Sequence, residues 1–235
     1  MKGFYILITL LTISVKPMLK NINLSEENKS LHVESDYKTL FEKGDYGYAC
    51  YRIPAVVVTN SGSILAFAEA RKESCSDTGN IDLVMRKSID NGATWSELIV
   101  IWDDGENVCG NPAPVVDEET GVIHLLSTWN HGDDHESRII DETSKFSREV
   151  FHITSRDDGN SWSVPRNISK TTKLPNWTWY ATGPVHGIQM KKTAAKGRLI
   201  IPCDHIESKT KKYFSHVIYS DDHGETWKLG GTTPK

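Results

Sequence analysis

Cysteine is scarce in this 235-residue chain: Cys50, Cys75, Cys109 and Cys203, none in C-x-x-C spacing. That excludes the paired-thiolate layout of a structural zinc site. Positive charge is not in excess either. The formal net charge is −4, which leaves no basic footprint for nucleic acid, and the nine histidines are scattered. Long apolar runs are missing apart from Phe4 to Val15, which is broken by Thr9, Thr12 and Ser14 and ended by Lys16-Pro17. That run is too short to span a bilayer comfortably but suits the apolar region of a signal peptide. Residues 1–17 therefore read as a signal peptide or N-terminal anchor, and polar residues 18–36 as a linker. Such a chain is expected to be secreted, periplasmic or lumenal. Export would allow disulfides, with Cys50–Cys75 the first pair to examine; free buried thiols are the alternative. Asn23, Asn28, Asn167 and Asn176 each begin an N-x-S/T sequon, which matters only in a host that glycosylates exported chains.

Amphipathic helical patterning is absent too, and what remains is a repeat. Hydrophobic residues make up 38% and charged residues 25%, enough for a folded core. The template S-x-D-x-G-x-[ST]-W occurs at Ser88–Trp95, Ser155–Trp162 and Ser220–Trp227, at nearly even spacing. Each copy has the chemistry of a tight turn. Ser and Asp side chains can bond backbone N–H groups, Gly permits positive φ, and Trp can tuck beneath the turn as the next strand starts. Strand-like runs precede the copies at 82–88, 148–154 and 215–219. A second hairpin precedes each of these, turning at 60–62, at 117–121 and in a longer loop that ends at Gly197. Each unit is thus two hairpins, or four strands, which is the unit of a β-propeller blade. The expected fold is all-β, a propeller with about three blades in residues 37–235. Propellers typically have about four to eight blades. Three would leave an open arc, so the chain reads as the N-terminal half of such a domain.

Several stretches resemble sialidases. The triple box resembles the family's Asp boxes, and Tyr51-Arg52-Ile53-Pro54 resembles its F/Y-R-I-P motif. Ala68-Glu69-Ala70-Arg71, Ser76-Asp77-Thr78-Gly79, Gly110-Asn111-Pro112-Ala113-Pro114 and Gly183-Pro184-Val185-His186-Gly187 follow in family-like order. The resemblance covers the chain from about Tyr37 onward. It implies a six-bladed propeller that removes terminal sialic acid from glycoproteins, glycolipids or oligosaccharides, with retention and with no metal or other cofactor. Nucleic acid is not an expected partner.

Residue by residue, the resemblance assigns Arg52 to the three-arginine clamp on the sugar carboxylate, where a planar guanidinium binds bidentately. Arg71 corresponds to a conserved arginine lining the pocket, outside the clamp, and Glu69 to a carboxylate that could orient an arginine. Asp77 aligns with the general acid/base; Asp82 competes but begins a strand. The three Asp-box aspartates recur in every unit and read as fold elements. Asn111 and the Trp177-Thr178-Trp179-Tyr180 stretch either line the pocket or pack a loop. Asp204 and His205 fall where related enzymes meet the substrate's glycerol tail.

The family's nucleophile is a tyrosine activated by a glutamate, whereas most glycosidases use two carboxylates. A sialic acid carries a carboxylate on its anomeric carbon, so a neutral phenol avoids like-charge repulsion. No residues match the Glu/Tyr pair or the remaining clamp arginines, and the 235-residue chain by itself is expected to be inactive. A trans-sialidase, or a non-catalytic sialic-acid-binding propeller protein, would share the motifs seen here.

Overall fold

Short apolar runs bounded by turn residues dominate the sequence, and strands dominate the result. The computed structural model describes residues 37–192 and 194–234. The expected leader and the whole of the expected linker lie outside the described residues. Among the described residues, no helix is long and apolar enough to cross a membrane.

Three antiparallel units follow one another, the first two of four strands and the third of five. The first comprises β1 (Cys50–Val58), β2 (Ile64–Arg71), β3 (Ile81–Ser88) and β4 (Ile99–Trp102). The second comprises β5 (Val108–Val116), β6 (Ile123–Asn130), β7 (Glu149–Ser155) and β8 (Arg166–Asn167). In the third, β9 (Trp177–Thr182) and β10 (Ile188–Gln189) both pair with β11 (Leu199–Glu207), followed by β12 (Tyr213–Ser220) and β13 (Lys228–Thr232). A single parallel pairing, Ile81 with Val108, joins the first two units into one sheet. Neither sheet of the described residues closes on itself. Two short helices, α1 (Glu136–Ile140) between β6 and β7 and α2 (Ser169–Thr172) between β8 and β9, form where the sequence pattern signalled no helix.

The first strands of the units extend further back than the sequence pattern suggests, and each is interrupted. In β1 the register with β2 shifts between Arg52 and Ala55, and in β5 the register with β6 shifts between Gly110 and Ala113. In the third unit pairing stops after Thr182 and resumes at Ile188. A proline sits in each break: Pro54, Pro112 and Pro184. The residue before it is left-handed, with φ of 54° at Ile53, 53° at Asn111 and 81° at Gly183. Proline cannot donate to a ladder, so each break is a natural place for one, and a bulge re-aims the side chains beside it.

The Asp boxes form as the sequence suggests. In the first, Gly92 N–H donates to Ser88 Oγ at 2.8 Å, and Thr94 donates to Asp90 through N–H at 2.8 Å and Oγ1 at 2.6 Å. The other two copies repeat this set. The hydrogen bonds from Thr94 hold Asp90 down at about 2, and those from Ser161 do the same for Asp157. One detail differs. Trp95 donates its indole N–H back to Gly92 O at 3.1 Å, and β4 begins only at Ile99. The boxes also join units. Gly159 packs on Leu65 of the first unit, and Gly224 packs on His124 of the second. Apolar side chains fill the sheets behind them, including Leu65, Phe67, Leu83 and Met85 with Ile123, Leu125 and Ile153.

Candidate active site

The interruption in β1 carries Arg52 to the face where the loop after β2 folds back. That loop is pinned by a Cys50–Cys75 disulfide, which ties the first residue of β1 to the segment bearing Asp77. Cys109 and Cys203 are free and buried. Arg52 Nη1 donates to Asp77 Oδ1 at 2.7 Å, and Arg71 Nη2 reaches the same oxygen at 2.8 Å. The two arginines differ in setting. Arg52 is 43% exposed in its side chain and free to meet a ligand, whereas Arg71 is 3% exposed. Arg71 also donates from Nη1 to Cys75 O and Ser76 O, both at 2.7 Å. It therefore shapes the loop as well as gripping Asp77.

Glu69 lies beneath, buried, one pleat from Arg71 on β2. Its Oε2 accepts from Arg71 Nε at 3.1 Å and from Arg71 Nη2. Its Oε1 accepts the backbone N–H of Asn111 at 2.8 Å. A buried carboxylate needs such partners to stay charged. There is no spare room: a Cβ on Gly110 would come within 2.7 Å of Glu69 Oε1. Asn111 directs its side chain away from Glu69, accepting at Oδ1 from Thr128 Oγ1 at 2.9 Å and from Arg148 Nη2.

These residues surround a cavity of about 220 Å³ whose lining includes Glu69, Arg71, Asp77, Asn111, Arg148 and Trp179. All three units line it, the first two with its charged and amide groups and the third with Trp179 and Ala181. Arg52 touches it through Asp77. Glu136, the first residue of α1, lines the same cavity.

The other candidates separate. Asp82 is fully buried and accepts from Tyr48 Oη at 2.6 Å. Burial raises it above the usual carboxylate range, and it does not line the cavity. Asp204 lies opposite Ala181, a cavity residue, in the β9–β11 register. Burial pushes it up to about 6, against the pull of Arg148. His205, by contrast, faces the core at 1% exposure, stacked on Trp177 with ring centroids 3.4 Å apart. It is not placed to meet a glycerol tail, because neighbours on a strand point to opposite faces. Trp177 and Tyr180 belong to the same core, and only Trp179 of that stretch reaches the cavity.

Sequence reasoning missed Arg148. It is 3% exposed, and its Nε donates to Tyr180 O at 2.6 Å. Nη1 donates to Asn130 Oδ1, and Nη2 donates to Thr128 Oγ1 at 2.9 Å as well as to Asn111. The guanidinium lies 4.1 Å from the Trp179 ring centroid. Burial lowers it to about 10, partly offset by Glu69, Asp204, Glu136 and Asp77.

The family described as a BNR repeat-like domain matches residues 62–234. An exo-alpha-sialidase of Aspergillus fumigatus is 37% identical over 173 residues, covering 66% of this chain and 41% of the relative. A sialidase of Bacteroides fragilis is 30% identical over 203 residues, covering 79% of this chain and 36% of the relative. Among solved structures, the Hadza microbial sialidase Hz136 superposes with a TM-score of 0.72 at 31% identity, over 82% of this chain and 39% of that one. The chain thus spans about two fifths of the length of these relatives.

Proposed function

The chain belongs to the sialidase family, and from that premise we propose that its cavity takes a terminal sialic acid and that Asp77 is the general acid/base of an exo-acting, retaining hydrolysis. The observation that carries this reading is the convergence of Arg52 and Arg71 on one oxygen of Asp77 beside a polar cavity. Its chemistry suits an anionic sugar. The exposed guanidinium of Arg52 can exchange Asp77 for a substrate carboxylate. That exchange removes one cation from Asp77 and sets a like charge near it. Both changes favour the protonated carboxyl, the form that can donate to a departing glycosidic oxygen.

In this reading the three units are blades of a six-bladed ring, with the interrupted first strands facing its axis. Glu69 and Arg71 hold the acid in place, and Asp204 stands one strand beyond the cavity wall. The disulfide beside the site supports export, because such bonds persist in oxidising compartments.

The test is the leaving-group dependence of Asp77→Asn in a turnover-competent form of the protein. For a sialoside with a poor leaving group, kcat/KM should fall by about 10²–10⁴-fold. A nitrophenyl sialoside should lose far less, because its leaving group departs with little protonation. Equal losses on both substrates would mean that Asp77 binds or supports and does not donate a proton. Asp82→Asn, matched for melting temperature, is the control; leaving-group dependence there instead would move the assignment.

A further inference from the structure

Asn111 is held in a backbone conformation that non-glycine residues seldom adopt, with φ of 53°. Asparagine enters this region more readily than most residues, but it stays there in a strand only where its surroundings hold it. Four side chains supply that hold. Glu69 takes its N–H, Thr182 Oγ1 donates to its carbonyl at 2.6 Å, and Arg148 with Thr128 donates to its Oδ1. Of these, Arg148 reaches furthest, since it also holds Asn130 on β6 and the carbonyl of Tyr180 on β9.

We propose that Arg148 is a positioning residue: through Asn111 it fixes Glu69, and through Glu69 it fixes the Arg71 guanidinium that holds Asp77. The links run Arg148 to Asn111, Asn111 to Glu69, Glu69 to Arg71 and Arg71 to Asp77, each a direct polar contact. Glu69 has no slack to absorb a shift, being hemmed in by Gly110. The hydrogen-bond acceptors of Arg148 are neutral oxygens of Asn111, Thr128, Asn130 and Tyr180, so its planar fork, and not an ion pair, sets the geometry. A lysine at 148 keeps the charge and loses the fork. The catalytic meaning of this relay rests on the reading of Asp77 as proton donor; the relay itself does not.

The experiment therefore reads the relay without a ligand. In the 235-residue chain labelled with ¹⁵N, Arg148→Lys should shift or broaden two cross-peaks: the Asn111 amide and the Arg71 Nε–H. The amides of Gly92 and Thr94, in the first Asp box, serve as the reference that should stay in place. Should Arg148→Lys fail to fold, Asn111→Gly replaces it, because glycine keeps the positive φ while removing the side-chain amide. Displacement of the Arg71 Nε–H peak beyond that of the reference amides supports the proposal. An Arg71 peak unmoved in whichever variant folds overturns it, since a purely structural Arg148 would disturb only its own neighbours. Titration with sialic acid on the same samples then addresses the functional reading separately.

Discussion

The first and second of the three units, which we read as blades, and the second and third, are joined by the same turn with different chemistry. In each case the Asp box of the later blade leans on the preceding one, and the residue after the box aspartate is left-handed and reaches across. At the first junction that residue is Asp158. It accepts from Ser63 Oγ at 2.6 Å and pairs with Lys87 at 2.8 Å. Burial alone would raise Asp158, but Lys87 and Ser63 hold it well below the usual carboxylate range. At the second junction the residue is His223, whose Nδ1 lies 2.8 Å from Asp117 Oδ2. Asp117 and Ser63 both sit at the turn between the first two strands of a blade, so the two latches are equivalent in position. Behind His223 lie two buried histidines, His124 and His152, with ring nitrogens 3.0 Å apart and His152 within 3.0 Å of Arg166. The comparison teaches that one backbone device can make a junction respond to pH in different windows, in acid through an aspartate and nearer neutrality through a histidine, according to a single side chain and what lies beneath it.

The largest expected effect comes from the glycine of each box. A Cβ on Gly224 would fall 2.1 Å from the His124 ring, on Gly159 3.0 Å from a Leu65 methyl, and on Gly92 3.9 Å from its own Trp95. Leu65 can move; a buried imidazole packed against His152 cannot do so cheaply. Gly224→Ala should cost about 3 kcal/mol or more, from overpacking added to left-handed strain. Gly92→Ala should cost about 1 kcal/mol. Urea midpoints at neutral pH check this order, and equal costs at Gly159 and Gly224 would erase the contrast between junctions.

Acid comes next. Burial pushes His124 down to about 4, and burial with His124 and Arg166 nearby pushes His152 down to about 3. Unfolded, both would accept a proton near 6.5. Their contribution to stability is therefore present above that value and falls away as pH drops toward the folded values. By pH 5 the loss is at most about 2 kcal/mol for each histidine. The first junction, latched by Asp158 to Ser63 and Lys87, responds only below the unfolded carboxylate value of about 3.9. The ring C–H signals of His124 and His152 should stay in the neutral position down to pH 5; a midpoint near 6.5 for either would contradict the buried, neutral assignment.

The smallest effect has the opposite sign. Hydrogen bonding to Asp117 raises His223, helped by Glu119 and Asp222 and opposed by slight burial. A raised histidine stabilises fully below 6.5 and loses that contribution as pH rises through its folded value. Half-exposed, the pair should be worth only about 0.2–1 kcal/mol. His223→Asn should abolish this slope without moving the larger acid loss, as urea midpoints between pH 6 and 8 would show.

The four-stranded pattern, the boxes and the candidacy of Arg52, Arg71 and Asp77 were legible because each is written in local sequence; the ion pairs that join the two arginines to Asp77 were not. Repeated turns and short motifs fix their own geometry. Arg148 was not legible, since Ser147-Arg148-Glu149 resembles any strand entry and its partners come from β5, β6 and β9. His205 could have been placed correctly. On β11 Ile201, Cys203 and His205 alternate with Pro202 and Asp204, and the apolar pair marks the inner face. Position after a strand suggested a site; the parity of the strand decides otherwise. The left-handed conformation at Ile53 was also hidden, since a β-branched isoleucine before proline gives no sign of positive φ, whereas Asn111 and Gly183 are residue types that admit it.

Those inner breaks bear on how such a molecule can change over time. Each blade repeats one interruption: a left-handed residue, then proline, then a ladder that resumes at Ala55, Ala113 or Ile188. Duplication of a blade would therefore copy a ready-made ledge along with the scaffold. Divergence could then proceed at the ledge alone, giving an arginine in one copy, a glycine-asparagine pair in another and a threonine-glycine pair in the third. The outer strands and their boxes need not follow, so recognition and architecture can drift at separate rates within one repeat.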